Sequence, residues 1–200
     1  MNILEYSFQV AYLCPVEKKE QIIIAAMKLL AEHGAQATPM SAIAKAAGTG
    51  MGTIYNYFAT KEELINAIYL YIKGSEINLV SKSIDAATPL KNRFLFYYTA
   101  FINFYLKHPE GFAFMDQFQH SPLILDSTKE QGKAGFIPVF ALIEQGQKEG
   151  IIKNIDMEAI LYFLAGTVTT YVRWMIGAGK HKHKQHLEQQ LRLVWDAIKE

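Results

Sequence analysis

Cysteine is nearly absent from this chain of 200 residues, which has only Cys14. A single cysteine cannot form an internal disulfide, and such a sequence suits a reducing cytosol. No basic residues flank Cys14 to activate its thiol. We therefore expect an inert thiol rather than a redox sensor.

Long hydrophobic runs are also missing. The longest apolar run, 159–172, has 14 residues and contains three threonines, whereas spanning a bilayer takes about 20 residues. Residues 1–13 are apolar and aromatic, but Glu5 interrupts them and they have neither a positively charged region nor a cleavage site. We expect a cytoplasmic protein without a membrane span. The role of residues 1–16 stays open between a docked arm and a cloning or start-site artefact.

Neither sign of charge dominates, because 20 Lys and Arg face 19 Asp and Glu. With half of its residues apolar, the chain can bury one substantial core and a small second domain. No repeat and no alternating strand pattern is present, so the sequence predicts an all-α fold of about nine helices. The domains expected are an extension at 1–16, a head at 17–65 and a body at 66–200.

Motifs of enzymes are missing as well. The glycine-rich GTGMG at 48–52 follows no strand and precedes no Lys-Ser or Lys-Thr pair, so it is not a phosphate loop. There is no GxSxG motif, and no histidine is placed beside the lone cysteine. We expect no enzyme and no cofactor.

The most informative segment is TPMSAIAKAAGTGMGTIYNYFATKEEL at 38–64. Thr38 is expected to cap a helix that begins at Pro39, and Gly48 to end it in the left-handed conformation. A second helix follows the turn. Its apolar side chains would face inward from Ile54, Tyr57 and Phe58, and its polar ones outward from Thr53, Tyr55 and Asn56.

Two short helices joined by a tight turn fit the major groove of DNA, although periodicity alone leaves a purely structural helical hairpin equally open. Thr60 and Glu63 then form the pattern of a capping box, which predicts a new helix from Lys61 to about Ser83.

The order IAKAAG, two residues, then MGTIYNYFATKEEL closely resembles the tetracycline-repressor (TetR) family of bacterial regulators. The detailed likeness covers residues 17–64. It implies a helix-turn-helix that binds palindromic operator DNA as a homodimer. The DNA-binding residues that it implies are Thr38, Met40, Ser41, Lys45, Thr49, Gly50, Met51, Gly52, Thr53, Tyr55, Asn56, Tyr57 and Lys61.

Two residues depart from the family pattern, since Gly50 stands where Ser, Thr or Asn is usual and Met51 where Lys or Arg is common. Residues 17–65 also hold five lysines against five glutamates. Because phosphate-binding surfaces are normally basic, we expect modest non-specific affinity and a shallow salt dependence.

Ten aromatic residues lie between Phe94 and Phe118, on helices expected at 89–108 and 109–120. A plain aromatic core and an apolar ligand cavity both fit this pattern, and the family resemblance favours an effector pocket. Asp116 and His120 are spaced to pair on one helix face, and 121–133 reads as a loop. The effector would be largely apolar or aromatic, because Arg173 is the one cation among the candidates. These are Tyr97, Tyr98, Phe101, Asn103, Phe104, Tyr105, Phe114, Gln117, Phe118, Phe140, Thr167, Thr170, Tyr171, Arg173 and Trp174.

The last helices are expected at 135–147, about 156–177 and about 185–198, with Asp156 as an N-cap. The last two carry more apolar surface than one chain can cover, and the resemblance implies that they form the homodimer interface. Between them lie His181, His183 and His186. Their spacing fits no familiar metal motif, so we expect a solvated basic turn and no metal.

These features together predict a ligand-responsive transcriptional regulator, most readily a repressor, that a small effector releases from operator DNA. The alternative is a helical carrier or scavenger of an apolar molecule that has lost sequence-specific DNA binding.

Overall fold

The computed structural model describes residues 17–80, 84–85, 87–178 and 183–200, with the side chains of 183–185 left aside. The expectations for residues 1–16, including Cys14, and for His181 and the side chain of His183 lie outside these residues. Within the described ranges the fold is all-α, as predicted. The helices are α1 Lys18–His33, α2 Met40–Ala46, α3 Met51–Tyr57, α4 Lys61–Val80, α5 Leu90–Lys107, α6 Pro109–Phe118, α7 Asp126–Lys133, α8 Ile137–Lys148, α9 Met157–Ala178 and α10 His183–Ile198, with a 3₁₀ turn at Ala134–Phe136.

The chain divides into two compact units, residues 1–68 and 69–200, and α4 runs across the division. In the first unit α1 packs against α2, and α2 against α3. Apolar residues at helical spacing along α1 form one buried face, which organises the core of this unit. The buried side chains are Ile22, Ile23, Ala26, Met27, Leu30, Ile43, Ala44, Ile54, Phe58, Leu64, Ile65 and Ile68.

The second unit is arranged around α5, which packs against α6, α8, α9 and α10. Phe94 shows why α5 is central, because its ring lies 5.9 Å from that of Tyr98 and 5.6 Å from that of Trp195 on α10. Aromatic rings at such distances add favourable edge and offset contacts to the hydrophobic burial. Asp156 caps α9 as predicted, since its carboxylate accepts the Ala159 N–H at 3.0 Å.

Helix α7 corrects the loop expected at 121–133. Proline and glycine around the segment suggested a loop, but local ion pairs join Lys129 to Asp126 and Lys133 to Glu130, each at 2.9 Å. Such i,i+3 pairs contribute only a few tenths of a kcal/mol. Thr128 and Gly132 are buried on one side of the helix, so tertiary packing stabilises it. The sequence pattern did not indicate this burial.

Helix α9 is long and apolar enough to cross a membrane by length and composition alone, with a mean hydropathy of 1.3 over its most apolar window. Only 22 % of that window is buried. Tyr162, Phe163, Trp174 and Ile176 all expose their side chains. The expectation from the shorter run at 159–172 therefore understated the apolar character of this helix.

Candidate nucleic-acid interface and effector region

The turn between α2 and α3 is built on Gly48, as predicted. Its φ is +58°, a left-handed conformation that glycine adopts without steric cost. The Gly48 N–H donates to the Lys45 carbonyl at 3.2 Å, and the Thr49 N–H donates to the Ala44 carbonyl at 3.0 Å. This pair of bonds is a Schellman motif, which satisfies the last carbonyls of α2 and redirects the chain into α3.

Helix α3 is anchored from one side only. Ile54 is fully buried, and Phe58, just past its end, is 2 % exposed. The side chains of Tyr55 and Tyr57 are 49 % and 41 % exposed, and Asn56 between them is also exposed. The prediction that Tyr57 faces inward is therefore wrong, because Phe58 fills the core position and Tyr57 extends toward solvent.

The first turn of α3 offers backbone rather than side chains. Gly50 occupies the N-cap position in an extended conformation, without a side-chain cap. A Cβ atom added at Gly50 or Gly52 would meet no atom within 4 Å. Met51 between them is 37 % exposed. The space beside both glycines is therefore open, and a helix N-terminus favours anionic groups such as phosphates.

Thr38 does not cap α2, contrary to the prediction. Helix α2 begins at Met40, its N-cap position is Pro39, and no side chain caps it. The Thr38 hydroxyl instead donates to the Gly34 carbonyl at 2.7 Å, and the side chain is only 1 % exposed. A buried hydroxyl that is satisfied within the protein cannot reach DNA from this conformation. Thr38 thus belongs to the scaffold that ends α1.

Lys61 is also engaged within the head. Its ammonium group donates to the Ala35 carbonyl at 2.7 Å and to the Thr38 carbonyl at 3.3 Å. The capping box at the start of α4 is confirmed for Thr60, whose hydroxyl accepts the Glu63 N–H at 3.1 Å. The Glu63 carboxylate reaches one residue further than expected, to the Ala59 N–H at 2.8 Å.

The remaining candidates differ in their exposure. Ser41 and Lys45 are exposed, and Met40, Thr49 and Thr53 are half-buried. Lys19 of α1 lies over the Phe58 ring at 5.8 Å. The polar and aromatic positions that reach solvent are therefore Ser41, Lys45, Gly50, Met51, Gly52, Tyr55, Asn56 and Tyr57.

In the second unit the predicted aromatic cluster packs largely against itself. Tyr98, Tyr105, Phe114 and Phe118 are buried, and the last two rings stack at 4.7 Å. The candidates Tyr97, Phe101, Asn103 and Phe104 on α5 are half-buried, as is Phe140 on α8, while Gln117 on α6 is exposed. This is the arrangement of an aromatic core, the alternative that the sequence left open.

Tyr98 connects three helices through its hydroxyl. It donates to the Thr167 hydroxyl on α9 at 2.9 Å, and it accepts the Gln190 amide from α10 at 2.9 Å. Burial raises the pKa of Tyr98, while the two hydrogen bonds act in the opposite direction. Thr167 was a candidate for ligand contact, and here it serves this internal network.

A buried carboxylate on α4 was missed by the sequence reading. Glu76 is 2 % exposed, pairs with Lys73 at 2.8 Å and accepts the Tyr105 hydroxyl of α5. Burial, followed by the negative charge of Glu76, raises the pKa of Tyr105 well above its usual range. The spacing of Lys73 and Glu76 is ordinary for a surface pair, so only the tertiary packing shows that the pair is internal.

Arg173 and Asp116 form an ion pair at 2.6 Å between α9 and α6. Asp116 therefore does not pair with His120, as its spacing suggested, because the arginine of the neighbouring helix comes closer. Arg173, the cation expected among the ligand-binding candidates, is thus paired with a carboxylate in this structure. Of its neighbours on α9, Tyr171 is buried, whereas Thr170 and Trp174 are exposed.

Surface cavities occur among the described residues of each unit. One, of about 500 Å³, lies in the first unit along α1 and the end of α2. The other, of about 200 Å³, lies in the second unit between α5 and α8. Of the predicted ligand-binding residues, Tyr97 lines the second cavity. Arg93, which the sequence reading did not single out, lines it too.

The histidine-rich turn is described only at its end. His186 lies with its ring 4.7 Å from that of Trp174, and its Nδ1 is 3.3 Å from the Gln189 side-chain oxygen. No group of three or more potential metal ligands occurs within the described residues.

Known proteins match both units. Residues 22–68 match the model described as bacterial regulatory proteins, tetR family, and residues 89–199 match that of a tetracyclin repressor-like C-terminal domain. The HTH-type transcriptional repressor KstR2 of Mycobacterium tuberculosis is 25 % identical over 90 % of this chain and 92 % of its own. The fatty acid metabolism regulator protein of Bacillus subtilis is 26 % identical over 82 % and 87 %. A TetR family transcription regulator from Marinobacter aquaeolei superposes with a TM-score of 0.84, covering 92 % and 96 % at 23 % identity.

Proposed function

The chain belongs to the TetR family of bacterial regulatory proteins, and from that membership we propose that it is a homodimeric repressor that a small effector releases from palindromic operator DNA. The observation that carries the proposal is helix α3. It is held by Ile54 alone among its residues and presents Tyr55, Asn56 and Tyr57 to solvent. A short helix anchored on one side and polar on the other can enter a major groove.

The residues divide by the kind of DNA contact that they can make. We expect Tyr55, Asn56 and Tyr57 to reach base edges or phosphates, and amide side chains recognise adenine well in the major groove. We expect Lys45 and the backbone N–H groups after Gly50 to contact the phosphate backbone. Thr38 is left out because it is buried. Lys61 keeps at most a secondary role, since two carbonyls already engage its ammonium group.

The homodimer would be formed by α9 and α10. Large apolar side chains on these helices are exposed, among them Tyr162 at 62 %, Trp174 at 50 % and Leu193 at 67 %. An apolar surface of this kind is typical of a subunit interface. A two-fold dimer would present two α3 helices to half-sites about 34 Å apart, which matches a palindrome. The same pairing would cover the apolar face of α9, in keeping with a cytoplasmic protein.

The effector would act through α4, which begins beside the DNA-reading residues and continues into the second unit. Release requires that the effector binds the two states of the dimer with different affinity. We propose a small, largely apolar or aromatic molecule that binds in the second unit. Relatives named for fatty acid metabolism and for ketosteroid regulation are in keeping with such a molecule.

Selection of bound sequences from random duplex DNA tests the proposal directly. The purified protein should recover a palindrome at two salt concentrations, because a specific dimer combines base contacts with few phosphate contacts. Weak binding that the higher salt erases would instead support the helical carrier or scavenger.

A double variant, Tyr55→Ala with Asn56→Ala, should then lose the selected sequence and keep its fold, since both side chains are exposed. Ser127→Ala with Lys129→Ala on α7 is the matched control, and it should bind the operator like the parent protein. Lys61→Ala is a poorer test, because it removes hydrogen bonds within the head.

A further inference from the structure

The cavity of about 200 Å³ between α5 and α8 carries features of a ligand site. We propose that it binds a small monocarboxylic acid with an apolar body, and that Arg93 holds the carboxylate. This inference names a site and a ligand class for the proposed effector, and it rests on the proposed function only for its regulatory consequence. The lining residues are Ile84, Arg93, Tyr97, Pro138, Ala141, Leu142 and Gln145.

Arg93 differs from the other two arginines of the chain in its partners. Arg173 pairs with Asp116 at 2.6 Å and Arg192 with Asp196 at 3.8 Å. Among the described residues Arg93 has no carboxylate partner within ion-pair distance. Its charge is therefore uncompensated at the wall of a cavity, which is the condition under which an anionic ligand gains most.

The donors of Arg93 are only partly satisfied. One terminal nitrogen donates to the Gln145 side-chain oxygen at 3.1 Å, whereas the buried Nε has no hydrogen-bond partner within the described ranges. Buried donors without acceptors are rare in folded proteins and call for an explanation. A carboxylate is the group that best matches the planar fork of a guanidinium, because two oxygens can accept two parallel N–H groups.

Gln145 presents its side-chain oxygen to Arg93. Its amide nitrogen donates to the Glu149 carboxylate at 2.7 Å, which turns its oxygen toward Arg93. The Tyr97 hydroxyl, which has no hydrogen-bond partner among the described residues, supplies a further donor at the wall. An amide and a phenol can position a carboxylate beside Arg93 without adding charge.

Size and lining define the rest of the ligand. The volume of about 200 Å³ lies below the roughly 300 Å³ at which drug-sized pockets begin. Ile84, Pro138, Ala141 and Leu142 supply the apolar part of the wall, alongside the polar groups of Arg93, Tyr97 and Gln145. One arginine, with Glu149 nearby, suits a single negative charge better than the double charge of phosphate.

Titration of the full-length ¹⁵N-labelled protein with benzoate tests the site, because the Nε–H signal of Arg93 reports on its own hydrogen bonding. Benzamide serves as the neutral isostere, and inorganic phosphate at equal ionic strength as the anion without an apolar body. We expect a saturable shift of the Arg93 signal with benzoate. Either control compound should bind at least about tenfold more weakly than benzoate.

Two variants locate the site by different means. Arg93→Gln removes the charge, and Ala141→Phe fills the cavity while keeping Arg93. Measured by isothermal titration calorimetry, because Arg93→Gln lacks the reporter signal, both variants should weaken benzoate binding about tenfold or more, whereas Arg192→Gln, the same change at an exposed position, should leave it unchanged. Ala141→Phe keeps the test decisive if Arg93→Gln fails to fold.

Absence of a saturable shift with benzoate would overturn the proposal. So would an equal response to benzamide, which would reveal a purely apolar cavity, or to phosphate, which would reveal a general anion site. The proposed function fails by a separate measurement, the loss of operator selection. Benzoate binding that leaves operator affinity unchanged would support the site and contradict its coupling to DNA release.

Discussion

Single residues of the head divide into those that we expect to contact DNA and those that stabilise the fold. Gly50 caps α3 with backbone alone, and its extended conformation and open surroundings accept a side chain. We predict that Gly50→Ser raises operator affinity, because the hydroxyl can cap α3 and donate to a phosphate. Gly50→Ala adds the same Cβ without the hydroxyl and should bring no gain. Fluorescence anisotropy with the selected operator measures both, and equal affinities for the two variants would contradict the prediction.

Lys61, in contrast to Gly50, stabilises the head through hydrogen bonds to the backbone. Lys61→Met should lower the free energy of unfolding by about 1–2 kcal/mol, as two carbonyls lose a charged donor. Lys45→Met removes an exposed lysine, and it should change stability by less than about 0.5 kcal/mol while weakening DNA binding. Urea denaturation distinguishes the two. Similar stability losses would show that the internal bonds of Lys61 contribute little.

The sequence predicts the role of a single residue well when the groups that it contacts lie close to it along the chain. Gly48 and the Thr60 cap act within four residues of themselves, so their roles could be read from the pattern. Thr38, Tyr57 and Lys61 were misjudged in part because their partners or their exposure depend on other segments. Arg93 could not have been found, since its distinguishing feature is the lack of a carboxylate that folding brings near the other arginines.

Among the elements, α4 and α7 with its following turn form the tightest packing. A Cβ at Gly135 would lie 2.1 Å from Ile77 Cδ1 and 2.3 Å from its Cγ1, and one at Gly132 would lie 2.9 Å from the Tyr69 ring. Gly135→Ala should therefore destabilise the protein by about 1–3 kcal/mol. Gly74→Ala, on α4 with nothing nearby, should stabilise it by about 0.5–1 kcal/mol. Thermal unfolding measures both changes in stability. Unchanged stability of Gly135→Ala would contradict the prediction and show that the Ile77 side chain moves aside at little cost.

The Tyr105 hydroxyl joins α5 to Glu76 of α4, and it predicts an alkaline limit to stability. The pKa of Tyr105 is raised above its unfolded value of about 10, so the fold favours the neutral phenol. This contribution is complete below about pH 10 and is lost as the pH rises toward the folded pKa. The groups facing the phenol include Glu76 and Tyr69, with Lys73 paired to Glu76.

Denaturation of the parent protein between pH 9 and 11 should show a decline in stability that is shallower in Tyr105→Phe, by up to about 1.4 kcal/mol per pH unit above pH 10. Tyr55→Phe alters an exposed phenol and serves as the control. Parallel declines in all three proteins would contradict the assignment.

Helix positions were largely predictable, because caps, prolines and apolar periodicity mark them along the chain. The exception is α7, whose polar sequence gives no periodic signal and whose buried side is defined by Tyr69 and Lys73 of another helix. The aromatic cluster is a similar case. The sequence shows which aromatic residues form it, but whether their rings enclose a cavity or fill the core depends on how α5 and α6 pack.

For the whole molecule, the exposed apolar face of α9 and α10 predicts the oligomeric state. Leu193→Glu should convert the proposed dimer to a monomer and weaken operator binding by at least about tenfold, because a buried charge at an interface is costly and both half-sites must be met together. Leu125→Glu places the same charge on a leucine that is 58 % exposed outside these helices. Light scattering after gel filtration should find only the first variant monomeric, and two unchanged dimers would place the interface elsewhere.

One consequence concerns how such a protein can diverge. Within the seven residues of α3, Ile54 is the buried one, and its neighbours at 55, 56 and 57 are exposed. Changes at those three positions carry almost no penalty in folding, so selection can act on them for DNA preference alone. After gene duplication, copies could acquire new operators through a few substitutions while inheriting an unaltered scaffold. A library randomised at these three sites should therefore yield folded members with many different target sequences.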